Sequence, residues 1–410
     1  MRLLLEYNQG DPKKYAPIAE LLALHHESKK NWYVARDFWE LQAKWYRNSG
    51  DQANETLALE KLSIAYVKEA DDVIQIRSEY RVAAHHIQSA IEALWKVPNS
   101  KDRQNELHKI LLEYQEKSIP ELGHISGEID LTRPVENAIS TIKGKTFLDA
   151  LFSLAQLASP AKKSEIEQFV DKLVGDSPLM ALLPVSQVNS KGKVVAQKPS
   201  MLSDNPEIAA QAKEAEMHSW AMREQQATGM VIHAARAHFM SEHNPTLEDI
   251  LTIVSHNPLV PPGREQIFSR GILFGIQGDY LAALHFLIPQ LENSIRHVLN
   301  NSGVITSGLN QEGIQEEFDL KKLLTLPETT KVFGEDLVFN LQGVFVDRFG
   351  ANFRNLFAHG LLETGNFQSS HGAYIWCVLL RLCCLPMIIE QQEGKAVPET
   401  PVIESGEEES

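Results

Sequence analysis

Residues 264–300 read REQIFSRGILFGIQGDYLAALHFLIPQLENSIRHVLN, and this stretch decides the fold. Apolar side chains recur at three- and four-residue intervals over 264–276 and again over 279–300, the period of amphipathic helices. Gly278-Asp279 separates the two segments. Two strong helices joined by so short a turn pack side by side, the repeating step of an up-and-down bundle.

Working outward, the C-terminal part supplies further helices of the same kind. Residues 335–348, 352–359 and 371–390 read as helices, with a short helix opening at Thr246 and a rigid turn over 258–263. Between them, 303–330 is irregular apart from a short helix near 320–324. Pro206 starts a long helix to about residue 243, with Asn205 or its neighbours as the cap. His233, His238 and His243 recur every five residues along it, a spacing that does not place metal ligands on one face.

Towards the N-terminus, residues 17–26, 32–48, 54–70, 74–94 and 101–117 read as stacked amphipathic helices. Small and aromatic side chains alternate along them, as in Ala35, Trp39, Ala43 and Tyr46, which suits paired helices in a repeat-like array. Helices over 135–142, 147–159 and 164–174 follow, and 184–205 reads as a flexible linker. The expected organisation is therefore all-α. It comprises a repeat-like region over 1–183, a linker over 184–205, a bundle over 206–390 and a disordered acidic tail over 391–410.

The formal charge of −15 is uneven. From Glu393 onward, six Glu against one Lys contribute −5, leaving −10 on the rest. A negative surface repels duplex nucleic acid unless a local basic groove overrides it. Cys377, Cys383 and Cys384 lie in one apolar helix without metal-ligand spacing, as reduced thiols of a cytoplasmic protein would. Residues 374–389 are apolar but are interrupted by Arg381 and Pro386, which reads as a core helix rather than a membrane span.

Phe353-Arg354-Asn355-Leu356-Phe357-Ala358-His359-Gly360 is the most distinctive polar cluster. Gly350 is placed to end one helix and Asn352 to cap the next. Phe353, Leu356 and Phe357 then face the core, with Arg354, Asn355 and His359 off that stripe. An imidazole exchanges protons near neutral pH, and a guanidinium grips phosphate oxygens in two places. The trio therefore suits metal-independent cleavage of a phosphodiester, although it offers one imidazole where acid and base steps each need a group. On the residues alone a structural role stays open. Arg354 can pair with Glu292, His359 can close the helix with Gly360, and Glu292 with Arg296 can be an ordinary helix pair or a support for Arg354.

Residues 243–362 resemble the bacterial and eukaryotic family called domain of unknown function 4209, recognised by Arg-Asn-x-x-x-His-Gly. The resemblance rests on Val260-Pro261-Pro262-Gly263-Arg264-Glu265, Gly278-Asp279, Leu287-Ile288-Pro289-Gln290-Leu291-Glu292-Asn293-Ser294-Ile295-Arg296 and Gly350-Ala351-Asn352-Phe353-Arg354-Asn355. The motif is in turn similar to the signature of HEPN domains, many of which are metal-independent ribonucleases working as dimers in defence and toxin systems. The resemblance implies a HEPN-like bundle with Arg354, Asn355 and His359 as the catalytic trio and no cofactor. It also implies RNA as partner and homodimerisation through the bundle. The N-terminal helices look like arrays that precede this domain in longer relatives, so a protein partner on those helices and additional upstream sequence are expected.

Overall fold

The computed structural model describes residues 1–7, 9–123 and 127–394. Among them are twenty α-helices, one 3-10 turn and two two-stranded sheets, so the chain is all-α as its periodicity requires. It divides into two compact units. One comprises Met1–Gly127 with Ser186–Gln197, the other Glu128–Val185 with Lys198 onward.

The first unit holds α1 (Arg2–Glu6), α2 (Pro12–Ser28), α3 (Trp32–Ser49), α4 (Gln52–Arg77), α5 (Tyr80–Leu94) and α6 (Lys101–Lys117). From α2 onward each helix packs on the next. Asp11, Asn31 and Asp51 cap α2, α3 and α4 by accepting from backbone amides, and Gly50 closes α3 in the left-handed conformation. Ala43, Ala65, Ala83 and Ala90 are buried in one cluster with Trp39, the small-against-large packing that the sequence suggests, and Ala35 is buried as well. Trp45 is also core, whereas Tyr33 is exposed. The break between α4 and α5 falls at Ser78, φ +55, rather than over 71–73. No glycine or proline marks it.

A hairpin of β1 (Val185–Val188) and β2 (Val194–Lys198) stands where the composition over 184–205 reads as a flexible linker. Asn189 Oδ1 accepts from the amides of Lys191 and Lys193 at 3.0 Å each. Gly192, φ +72, closes the turn against the Gln115 carbonyl, where a Cβ would clash. One asparagine bonding to its own turn fixes a segment whose composition carries little apolar signal.

The second unit begins with α7 (Thr132–Ile142), α8 (Phe147–Gln156), α9 (Lys163–Asp176) and α10 (Pro178–Leu182). This corrects the expected boundary at residue 183. Ile142, Leu151 and Leu154 are fully buried in the same core as the C-terminal helices. Amphipathicity shows that a face is buried but not in which core. There follow α11 (Pro206–Glu242), α12 (Leu247–Val254), α13 (Glu265–Gln277), α14 (Tyr280–Asn301), β3 (Ser307–Leu309) and β4 (Gln315–Glu317). The unit closes with α15 (Leu320–Thr325), α16 (Pro327–Phe333), α17 (Glu335–Phe345), α18 (Phe353–Ala358), α19 (Thr364–Phe367) and α20 (Ser370–Gly394). The acidic segment expected over 391–410 thus begins inside α20, and from residue 395 it lies outside the described residues.

Helix α20 is the hub of this unit and packs against α8, α11, α13 and α14. Gly275 leaves room for the Trp376 indole, and Gly229 for the Ser370 carbonyl, so α13 and α11 come close to it. Residues 370–388 are long and apolar enough to cross a membrane, but 78% of that window is buried inside the fold. Cys377, Cys383 and Cys384 are free and buried on it. His233, His238 and His243 separate along α11. The first meets Tyr280, the second Glu242, the third Phe147 and Phe239.

Candidate functional site

Helix α14 starts cleanly because Gly278, φ +88, closes α13 and Asp279 accepts from the amide of Ala282 at 3.0 Å. Along it, Glu292 and Arg296 are one turn apart and paired, Nη2 to Oε1 at 2.9 Å. The other carboxylate oxygen, Oε2, accepts from Arg354 Nη2 at 2.7 Å and from the Leu320 amide at 3.0 Å. Glu292 therefore ties α14 to the motif helix α18 and to the first residue of α15. Arg296 continues the network, donating to the Phe318 carbonyl at 2.7 Å and lying 2.9 Å from Glu317. Both arginines are only partly exposed, at 13% and 31% of their side-chain surface. Taking such charges out of water is tolerable here because each has a partner.

The approach to the motif differs from the sequence expectation. Helix α17 stops at Phe345 instead of running to Arg348. Asp347 Oδ1 then accepts from the amides of Phe349 (2.7 Å) and Gly350 (3.3 Å), folding the chain back on itself. The Ala351 amide donates to the Gly343 carbonyl at 2.9 Å, and Gly350 lies so close to that carbonyl that a Cβ would collide with it. Gly350 is thus a close-approach glycine five residues past the helix end, not its terminator.

Asn352 precedes α18, as the sequence suggests, but its side chain does not cap the helix backbone. It sits at φ +50, and its Oδ1 accepts from Asn355 Nδ2 at 2.7 Å. Asn355 also donates to the Val346 carbonyl at 3.4 Å, and its own Oδ1 faces Arg354 Nη1 at 3.4 Å. With Phe353 buried and Leu356 and Phe357 half-buried, the apolar side of the short helix faces the core as expected.

Helix α18 ends in a Schellman closure. Gly360, at φ +64, donates to the Phe357 carbonyl at 3.0 Å, and Leu361 donates to the Leu356 carbonyl at 2.9 Å. His359 occupies the C-cap, its amide bonded to the Asn355 carbonyl at 3.1 Å. Its side chain is exposed and has no partner among the described residues. The structure brings Glu292, Arg296, Arg354 and Asn355 into one network, and His359 projects from the end of the helix they hold.

The sequence reading missed a second imidazole. His285, on α14, lines a cleft of about 260 Å³ together with Phe357, Gly360 and Phe367. Its Nδ1 lies 2.7 Å from the Leu281 carbonyl, and its ring is 5.0 Å from those of Phe357 and Phe367. The signal was available. His285 and Glu292 are seven residues apart, two helical turns, so they share a face of α14. No ligating group of three or more His, Cys, Asp or Glu side chains is present among the described residues. No family model matches the chain, and neither curated proteins nor solved structures include a significant match to it.

Proposed function

We propose that the C-terminal unit is a HEPN-like metal-independent endoribonuclease, with Arg354, Asn355 and His359 as its working residues. What supports this most is His359, exposed and without a side-chain partner among the described residues, at the closed end of the helix whose Arg354 is oriented by Glu292. Arg354 is bound tightly through Nη2 alone, and its Nη1 contact at 3.4 Å is loose. Donors therefore remain for a phosphate oxygen, and the charge that develops on phosphorus meets a cation already in position. Asn355, anchored at both ends of its amide, keeps Arg354 and the helix backbone in register. His359 supplies one of the two proton transfers that RNA cleavage by its own 2′-hydroxyl requires, a contribution typically worth roughly 10²–10⁴-fold.

In this reading RNA is the substrate and copies of the chain pair through the bundle. The stacked N-terminal helices would offer a surface to a protein partner, in a cytoplasmic setting. The test uses purified protein, transfer RNA and total RNA, with and without chelator. Cleavage that resists the chelator, leaves 2′,3′-cyclic phosphate ends and disappears in His359→Ala is the expected result. Absence of cleavage, or equal cleavage by the variant, rejects it.

A second reading is favoured by one observation, the saturation of Glu292 by three donors. Arg354 and Asn355 then serve only to pin α18 to α14, and the protein is a non-catalytic helical scaffold. The net negative charge of the chain agrees with this reading better than with RNA binding.

A further inference from the structure

We infer that His285 is the general base of the proposed ribonuclease, so that both imidazoles come from one chain. The inference rests on the ribonuclease reading and removes its main chemical difficulty. A single His359 cannot take a proton from the 2′-hydroxyl and also deliver one to the leaving oxygen in the same displacement.

Three features of His285 fit the role. A carbonyl can only accept, so the 2.7 Å contact with Leu281 makes Nδ1 the donor. In the neutral ring this leaves Nε2 as a free acceptor, the form a general base must have. The ring is also held in place. Phe357 meets it nearly edge-on at 67°, and Phe367 lies against it at 32°, each with centroids 5.0 Å away. Finally, the cleft it lines is walled by the motif itself, since Phe357 and Gly360 flank His359 in the chain. Among the described residues no other ionisable side chain lines this cleft. The nearest in sequence are His359 and Glu363, on either side of the lining residues Gly360 and Leu362.

The chemistry balances without a further reactant. His285 Nε2 takes the proton of the ribose 2′-hydroxyl, and the 2′-oxygen forms a bond to phosphorus while the bond to the 5′-oxygen breaks. Protonated His359 gives its proton to the departing 5′-oxygen. Arg354 faces the charge that accumulates on the phosphoryl oxygens. The products are a 2′,3′-cyclic phosphate and a free 5′-hydroxyl, and the two rings exchange roles if water later opens the cyclic ester.

The experiment measures RNA cleavage against pH for the intact chain and for His285→Ala, His285→Asn and His359→Ala, with circular dichroism to verify folding. His285→Ala is expected to lose at least about 100-fold in rate, to lose the acidic limb of the profile, and to recover activity with added imidazole. Mixing His285→Ala with His359→Ala protein is expected to restore nothing, because the inference draws both imidazoles of each active site from one chain. Restoration by mixing would overturn the same-chain assignment. A uniform fall in rate with an unchanged profile and no imidazole rescue would overturn the base role. Cleavage by the unaltered chain that is indifferent to residue 285 rejects this inference alone. No cleavage by the unaltered chain rejects the ribonuclease reading and this one with it.

Discussion

Glu292 Oε2 and Arg354 Nη2 meet at 2.7 Å across 62 residues of sequence, and that bond ties α14 to the motif helix α18. Both side chains are partly shielded, at 24% and 31% exposure, so the pair lies between a surface bridge and a buried one. Glu292→Gln keeps the shape and removes the charge, leaving Arg354 and Arg296 without their shared anion. The expected loss of stability is about 1–3 kcal/mol in urea unfolding. A double-mutant cycle with Arg354→Met is expected to show a coupling of at least about 1 kcal/mol. Additive effects would mean that the bond contributes nothing.

His359→Ala separates the two functional readings by stability alone. The ring is exposed and unpartnered among the described residues, so its removal is expected to change unfolding free energy by less than about 0.5 kcal/mol. If the histidine were instead a structural cap, the cost would be about 1 kcal/mol or more. Chemical denaturation in parallel with the RNA assay decides between them.

Much of this was legible in the sequence because helices advertise themselves by period, and the all-α class follows from that alone. The pairing of Arg354 with Glu292 was also readable, since each lies off the apolar stripe of its helix and needs a partner. What the sequence hides is long-range choice. Nothing local tells Ile142 or Leu154 that their core is the C-terminal one, and the short valine runs on either side of Asn189 and Gly192 are outweighed by the polar composition around them. The end of α17 at Phe345 is likewise set by Asp347 turning back onto two amides, a bond that competes with helix continuation without changing the hydrophobic pattern. The role of His285 is hidden from the sequence for the converse reason. Its helical phase relative to Glu292 was visible, but the aromatic walls that make it interesting come from residues more than seventy positions away.

The two glycines that bracket the motif have different jobs, and substitution should expose the difference. Gly360 has φ +64, with open space where a Cβ would project. Gly360→Ala is expected to cost only the left-handed penalty, about 1–2 kcal/mol. At Gly350 a Cβ would instead strike the Gly343 backbone carbonyl, which cannot swing aside as a side chain does. Gly350→Ala is expected to cost more than Gly360→Ala in thermal or urea unfolding, and to loosen the Ala351–Gly343 bond. Amide hydrogen exchange at Ala351 reads that directly. Equal costs for the two variants would contradict this account.

Acidification tests the core behind the site. His371, at the start of α20, is buried and has no hydrogen-bond partner for Nε2 among the described residues, and burial pushes its pKa down to about 4. In the unfolded chain an unperturbed imidazole has a pKa of roughly 6.5. Between those values the unfolded state binds a proton that the folded state refuses, so stability is full above the unfolded value and falls as pH drops towards 4. Integrated over that window, one such histidine is worth up to about 3 kcal/mol. His86, buried in the first unit and also pushed down to about 4, adds a similar slope there. Urea midpoints measured from pH 7 to pH 4 are therefore expected to fall. His371→Gln is expected to flatten the part of that fall belonging to the C-terminal unit, because glutamine does not titrate. A slope unchanged by the substitution would mean that His371 opens to solvent before it charges.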